Sequence, residues 1–97
     1  MASDDREEMR RTEVVTRMED AKRLIEPPVR QQVSFQLVRF ADYVRDGQLE
    51  AAWDALAEAG EELDVPARFW RALAEAASLL RLEERRAEAA AHAARSE

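Results

Sequence analysis

The residues of this chain most capable of catalysis or binding are its carboxylates. Four recur at helical spacing after residue 48 and a fifth follows directly, and we call the five the acidic face: Glu50, Asp54, Glu58, Glu61 and Glu62. At about 100° per residue the first four fall on one side of a helix, and no Lys or Arg lies between residues 48 and 64. Paired carboxylates act as general acid and base in a cleft that separates their pKa values, and an exposed helix offers no such cleft. The acidic face therefore predicts binding rather than catalysis.

Like charges one turn apart on a helix repel each other and cost a few tenths of a kcal/mol per pair. One interpretation is a solvated surface on an acidic protein, because runs of charge are usually solvated. The other is a docking surface for a protein with a basic surface, which would relieve the repulsion and be attracted by it. Mimicry of nucleic-acid charge against a nucleic-acid-binding protein is a further form of this second interpretation.

The remaining candidates for chemistry are few. His92 is the only histidine, with Glu88 four residues before it, and there are no cysteines. A carboxylate-bridged metal site needs Glu-x-x-His motifs from facing helices, and a general base needs an oriented partner and a pocket. The sequence shows neither, so we predict a surface histidine, no catalytic residue, no metal and no cofactor. We therefore predict that the protein is not an enzyme.

Composition indicates the elements that must position these residues. The chain has 97 residues, is 46% hydrophobic and 37% charged, and has only two Gly and three Pro, which favours helix over sheet. We predict an all-α fold, a small antiparallel bundle of three to four helices forming a single domain over residues 1–97, with residues 1–10 and 83–97 fraying.

A net charge of −6 with a single Lys argues against a nucleic-acid partner. The charged start, the lack of a long apolar run and the absence of cysteines predict a cytoplasmic protein with no membrane segment.

Apolar spacing predicts where the helices lie. A first helix ends near Ile25 before two prolines, and a second runs from 28 to 45 before Asp46-Gly47. A third covers 48–60, and a fourth runs from 65 through 81 with a broad apolar arc that predicts a central position. The last two should form a C-terminal helical hairpin whose interior aromatic residues are Trp53, Phe69 and Trp70.

Phe35 and Val38 lie off the apolar stripe of the predicted second helix. They are either covered by the first helix or exposed to a partner, since large exposed apolar side chains mark interfaces. In the exposed case the chain would be a self-associating structural or regulatory subunit, with both residues in a homodimer interface.

One stretch of the chain resembles a known family. Residues 38–82, VRFADYVRDGQLEAAWDALAEAGEELDVPARFWRALAEAASLLRL, are similar to the small all-helical MafI-like immunity proteins of bacterial polymorphic toxin systems. In these a helix ends in an acidic-Gly turn, an Ala/Leu-rich helix follows, and a short acidic linker leads to a last apolar helix. The resemblance implies a cytosolic inhibitor that binds and neutralises a toxin domain, and it implies no catalytic residues.

Overall fold

The computed structural model of the chain describes residues 2–97, with side chains from residue 5 onward. All the regular secondary structure in this range is helical, with no strand, and short turns join the helices. The elements in chain order are α1 (Ala2–Arg23), α2 (Pro27–Arg30), a 3-10 helix (Gln31–Val33), α3 (Ser34–Arg45), α4 (Leu49–Glu62), α5 (Ala67–Leu79) and α6 (Glu83–Arg95). No helix in the described part of the chain combines the length and apolar character that a membrane span needs.

Helix α5 lies at the centre of the bundle, as its broad apolar arc predicts. It packs most extensively against α6 and α1, while α4 packs mainly against α3. Helix α1 contributes the predicted stripe, in which Val14, Met18, Ala21 and Ile25 are all buried. The radius of gyration, 13.1 Å, equals that of a compact folded chain of about 100 residues.

The predicted pairing of helices is only partly correct. The two helices of the predicted C-terminal hairpin, now α4 and α5, do meet, because the Trp53 indole N–H donates to the Leu73 carbonyl at 2.8 Å. Their contact is nevertheless narrow, and the extensive hairpins are α3 with α4 and α5 with α6. The described chain also has five long helices rather than three or four, because the predicted fourth helix stops at Leu79 and α6 begins after a turn.

Arg81 explains that extra turn. Its φ is 60°, in the left-handed region, and the Leu82 N–H donates to the Ala77 carbonyl at 2.9 Å. This is the same terminating motif that Gly47 forms after α3, where φ is 76° and the Gln48 N–H reaches Tyr43. The predicted second helix is also interrupted, since the 3-10 helix separates α2 from α3.

The C-terminal segment has more to bury than its composition suggests. In α6 the side chains of Ala89 and Ala93 are buried, and their small size lets the helix approach α5 closely. The predicted fraying of residues 1–10 and 83–97 concerns local stability, and it stays a prediction.

At the N-terminal end, residue 1 lies outside the described part of the chain, and the side chains from Asp5 to Arg10 are exposed.

Candidate functional site

The acidic face lies along α4, and four of its carboxylates are about half exposed. The exposed fractions of the Glu50, Asp54, Glu58 and Glu61 side chains run from 48% to 58%. Each of these carboxylates nevertheless has a partner from another helix. The acidic face is therefore accessible to a protein partner and at the same time compensated within the chain.

Arg85 on α6 is the main compensating group. Its Nε donates to Asp54 Oδ1 at 2.8 Å and its Nη2 donates to Asp54 Oδ2 at 3.0 Å. The same Nη2 lies 3.0 Å from Glu50 Oε1. The bond to Asp54 raises the pKa of Arg85 above its ordinary value. One guanidinium thus neutralises the first two carboxylates in the bidentate geometry that favours Arg over Lys.

Helix α3 holds the opposite flank of the acidic face. Arg39 Nη1 lies 3.8 Å from Glu58 Oε2, and the Gln36 amide donates to Glu62 Oε1 at 2.8 Å. Arg39 also donates to the Tyr43 hydroxyl at 3.1 Å, and this bond raises the pKa of Arg39. The sequence correctly offers no compensating Lys or Arg within α4, and the partners that relieve the repulsion come from α3 and α6 instead.

A second surface lies on α3, around Phe35 and Val38. Their exposed fractions are 70% and 60%, so α1 leaves both uncovered. We call these two side chains the α3 patch. The Arg39 guanidinium lies 5.6 Å from the centre of the Phe35 ring. A shallow groove of about 370 Å³ runs beside the patch toward α1, with basic residues at its rim; it is lined by Lys22, Arg30, Gln31, Ser34, Leu37 and Val38.

A third cluster joins the last turn of α4 to α6. His92 stacks on Trp70, with ring centres 4.0 Å apart and ring planes at 12°. The His92 Nε2 faces Glu61 Oε1 at 3.6 Å, and Glu88 approaches from one turn earlier on α6. The prediction of a surface histidine is therefore wrong, because His92 is half-buried and its ring covers Trp70.

Sequence reasoning missed this cluster because its members lie on three helices, α4, α5 and α6, whose packing the local spacing does not determine. The spacing of Glu88 and His92, four residues apart, was the available signal. That spacing puts two side chains on one helix face, but it does not identify the neighbouring helix.

Comparison of the chain with protein-family models, with curated proteins and with solved structures finds no match. The resemblance to MafI-like immunity proteins therefore stays a hypothesis.

Proposed function

We propose that this chain is a non-enzymatic, cytoplasmic protein-binding module that associates through the α3 patch with a second copy of itself. The observation that carries the proposal is the exposure of Phe35 and Val38 side by side on one helix. Burial of apolar surface by a partner stabilises a complex by roughly 25 cal/mol per Å².

The position of the α3 patch on one helix allows a self-complementary pairing. Basic residues lie near the beginning of α3, where Lys22 and Arg30 border the groove, and its end carries Asp42, which is paired with Arg45 at 2.6 Å, followed by Asp46. A two-fold interface brings the same surface of both copies together. If two α3 helices pair antiparallel with Phe35 opposite Val38 of the second copy, the two patches cover each other, and Lys22 and Arg30 of each copy face Asp46 and the Asp42–Arg45 pair of the other.

The size of the α3 patch indicates a weak association. An aromatic side chain offers about 200 Å² of surface, so the exposed part of Phe35 amounts to roughly 140 Å². A stable interface buries about 800 Å² on each partner. Phe35 and Val38 can therefore supply the apolar centre of an interface, and polar side chains around them must supply the rim.

Sedimentation velocity tests this proposal. Over loading concentrations from about 1 µM to 1 mM, which span the free energies expected of a small interface, the chain should shift from monomer to dimer. Phe35→Asp should abolish the shift because the new carboxylate cannot be buried without a partner. Ala90→Asp, which adds the same charge at an exposed site on α6, should leave it unchanged. A chain that stays monomeric throughout, or a dimer indifferent to Phe35→Asp, contradicts the proposal.

A second candidate function is an immunity-type inhibitor that binds a basic toxin domain through the acidic face. The observation in its favour is that the carboxylates stay about half exposed in spite of their internal partners. A gene for a toxin domain immediately upstream of this one would support it. Binding of that toxin domain should then weaken with Asp54→Asn and Glu58→Gln, and its salt dependence should become shallower. Unchanged affinity and salt slope would contradict it.

A further inference from the structure

Three side chains with metal-ligating atoms converge where the end of α4 meets α6. Glu88 and His92 lie one turn apart on α6, and Glu61 lies in the last turn of α4. One donor atom from each lies within 4.8 Å of the other two. The donor set is one imidazole nitrogen and two carboxylate oxygens, a combination that suits a divalent transition metal.

The imidazole at this position is oriented by the core. Only 23% of the His92 side chain is exposed, because the ring stacks on Trp70. Trp70 is itself 3% exposed and meets Phe69 edge to face, with ring centres 5.1 Å apart. A ring fixed in this way directs Nε2 toward the carboxylates before any ligand arrives, which lowers the entropy lost on binding.

We propose that Glu61, Glu88 and His92 form a binding site for one Zn²⁺ ion. Ligand atoms about 2.0–2.2 Å from a tetrahedral ion lie roughly 3.3–3.6 Å from each other. The 3.6 Å between His92 Nε2 and Glu61 Oε1 already agrees with that separation. Glu88, which has a donor atom within 4.8 Å of the other two, completes the set, and water takes the fourth position.

The backbone around Glu61 also favours a cation. Glu61 lies in the final turn of α4, where unpaired carbonyl groups give the helix end a partial negative charge. A bound ion would link α4 to α6, and this would hold the C-terminal segment against the bundle.

Arg95 opposes the zinc-bound state. Its Nη2 lies 3.1 Å from His92 Nδ1 and donates to it, which places the ring proton on Nε2. Zinc bound at Nε2 requires the proton on Nδ1, where Arg95 can no longer donate. Binding of zinc must therefore release Arg95, and Arg95→Ala should increase the affinity for zinc.

Isothermal titration of the full chain with ZnCl₂ tests the site. We expect one ion per chain and a loss of affinity of at least about tenfold for His92→Ala and for Glu61→Gln. Glu58→Gln, one turn earlier on α4, and Glu84→Gln, one turn earlier on α6, are the matched controls and should bind as the wild type does. Ni²⁺ should quench the tryptophan fluorescence of the chain, to which Trp53 and Trp70 both contribute, much more strongly in the wild type than in His92→Ala.

Several results would overturn the zinc site. These are titration without a defined stoichiometry, equal loss of affinity in a ligand variant and its matched control, and zinc binding that His92→Ala and Glu61→Gln leave intact. Glu61→Gln keeps the shape of the side chain, so a loss of binding with unchanged circular dichroism separates the loss of a ligand from a loss of fold.

Discussion

Gly60 is the position where a single methyl group should disturb the core most. A Cβ at this residue would lie 2.3 Å from Cε1 and 2.9 Å from Cζ of Phe69, and 3.0 Å from Cζ2 of Trp70. Non-bonded carbon atoms need about 3.5 Å, so Gly60→Ala must push the Phe69 ring away by roughly 1.2 Å. Both rings are buried, and neither has solvent to move into.

The expected loss of stability is the difference between two opposing effects. Overpacking a filled core costs about 1–3 kcal/mol, and an approach of 2.3 Å to a buried ring places the cost in the upper part of that range, at about 2–3 kcal/mol. Replacing Gly by Ala inside a helix gains about 1 kcal/mol. The net free energy of unfolding should fall by about 1–2 kcal/mol, which lowers the Tm of a chain of this size by roughly 5–15 °C. Urea unfolding followed by far-ultraviolet circular dichroism measures the first quantity, and a thermal scan measures the second.

A double-mutant cycle isolates the clash at Gly60. Phe69→Leu removes the ring atoms that the new methyl group meets, so it should cost less in the Gly60→Ala background than in the wild type. The coupling free energy should exceed about 0.5 kcal/mol, the scatter expected of independent sites. Strictly additive effects, or a Gly60→Ala variant as stable as the wild type, would show that the close approach of α4 to the two rings is not a feature of the folded protein.

Two arginines allow further predictions. Arg81→Gly should raise the free energy of unfolding by about 0.5–1 kcal/mol because Gly adopts φ 60° without strain. The matched variant Arg86→Gly, inside α6, should lower the free energy of unfolding by about 1 kcal/mol. If both variants lowered the free energy of unfolding, the left-handed conformation of Arg81 would be contradicted. Arg85→Ala should cost about 0.5–1 kcal/mol, because its carboxylate partners are half exposed, and the cost should shrink with added NaCl. A cost that salt does not change would mean that Arg85 acts through packing rather than charge.

Much of the fold could be predicted because it depends on local spacing. The stripe of α1 recurs at i, i+4, i+7 and i+11 from Val14, which fixes the buried face of that helix whatever packs on it. Gly47 ends α3 as predicted because glycine is the usual residue at a left-handed helix terminus. The turn after α5 could not be predicted in the same way, since Arg81 takes the left-handed conformation there without any sequence signal.

The functional surfaces were harder to predict because they depend on contacts between distant residues. The rule for compensating charges on a helix concerns residues three or four positions away. Arg39 and Arg85 reach the acidic face from α3 and α6, and no pattern within α4 indicates them. The exposure of Phe35 likewise depends on the path of α1, and the spacing of apolar residues within α3 does not determine that path.

The internal ion pairs of the acidic face lower the binding free energy that a protein partner could obtain there, compared with the α3 patch. A basic partner at the acidic face would have to displace Arg85 from Asp54, so it would exchange one charged hydrogen bond for another, and the net gain would be small. Phe35 and Val38 make no hydrogen bond that a partner must break: the Arg39 guanidinium lies 5.6 Å from the centre of the Phe35 ring, and water covers most of the surface of both side chains. Each Å² that a partner covers there contributes its full hydrophobic free energy. For this reason the α3 patch is the stronger candidate for affinity, and the acidic face would contribute mainly to the rate and specificity of association.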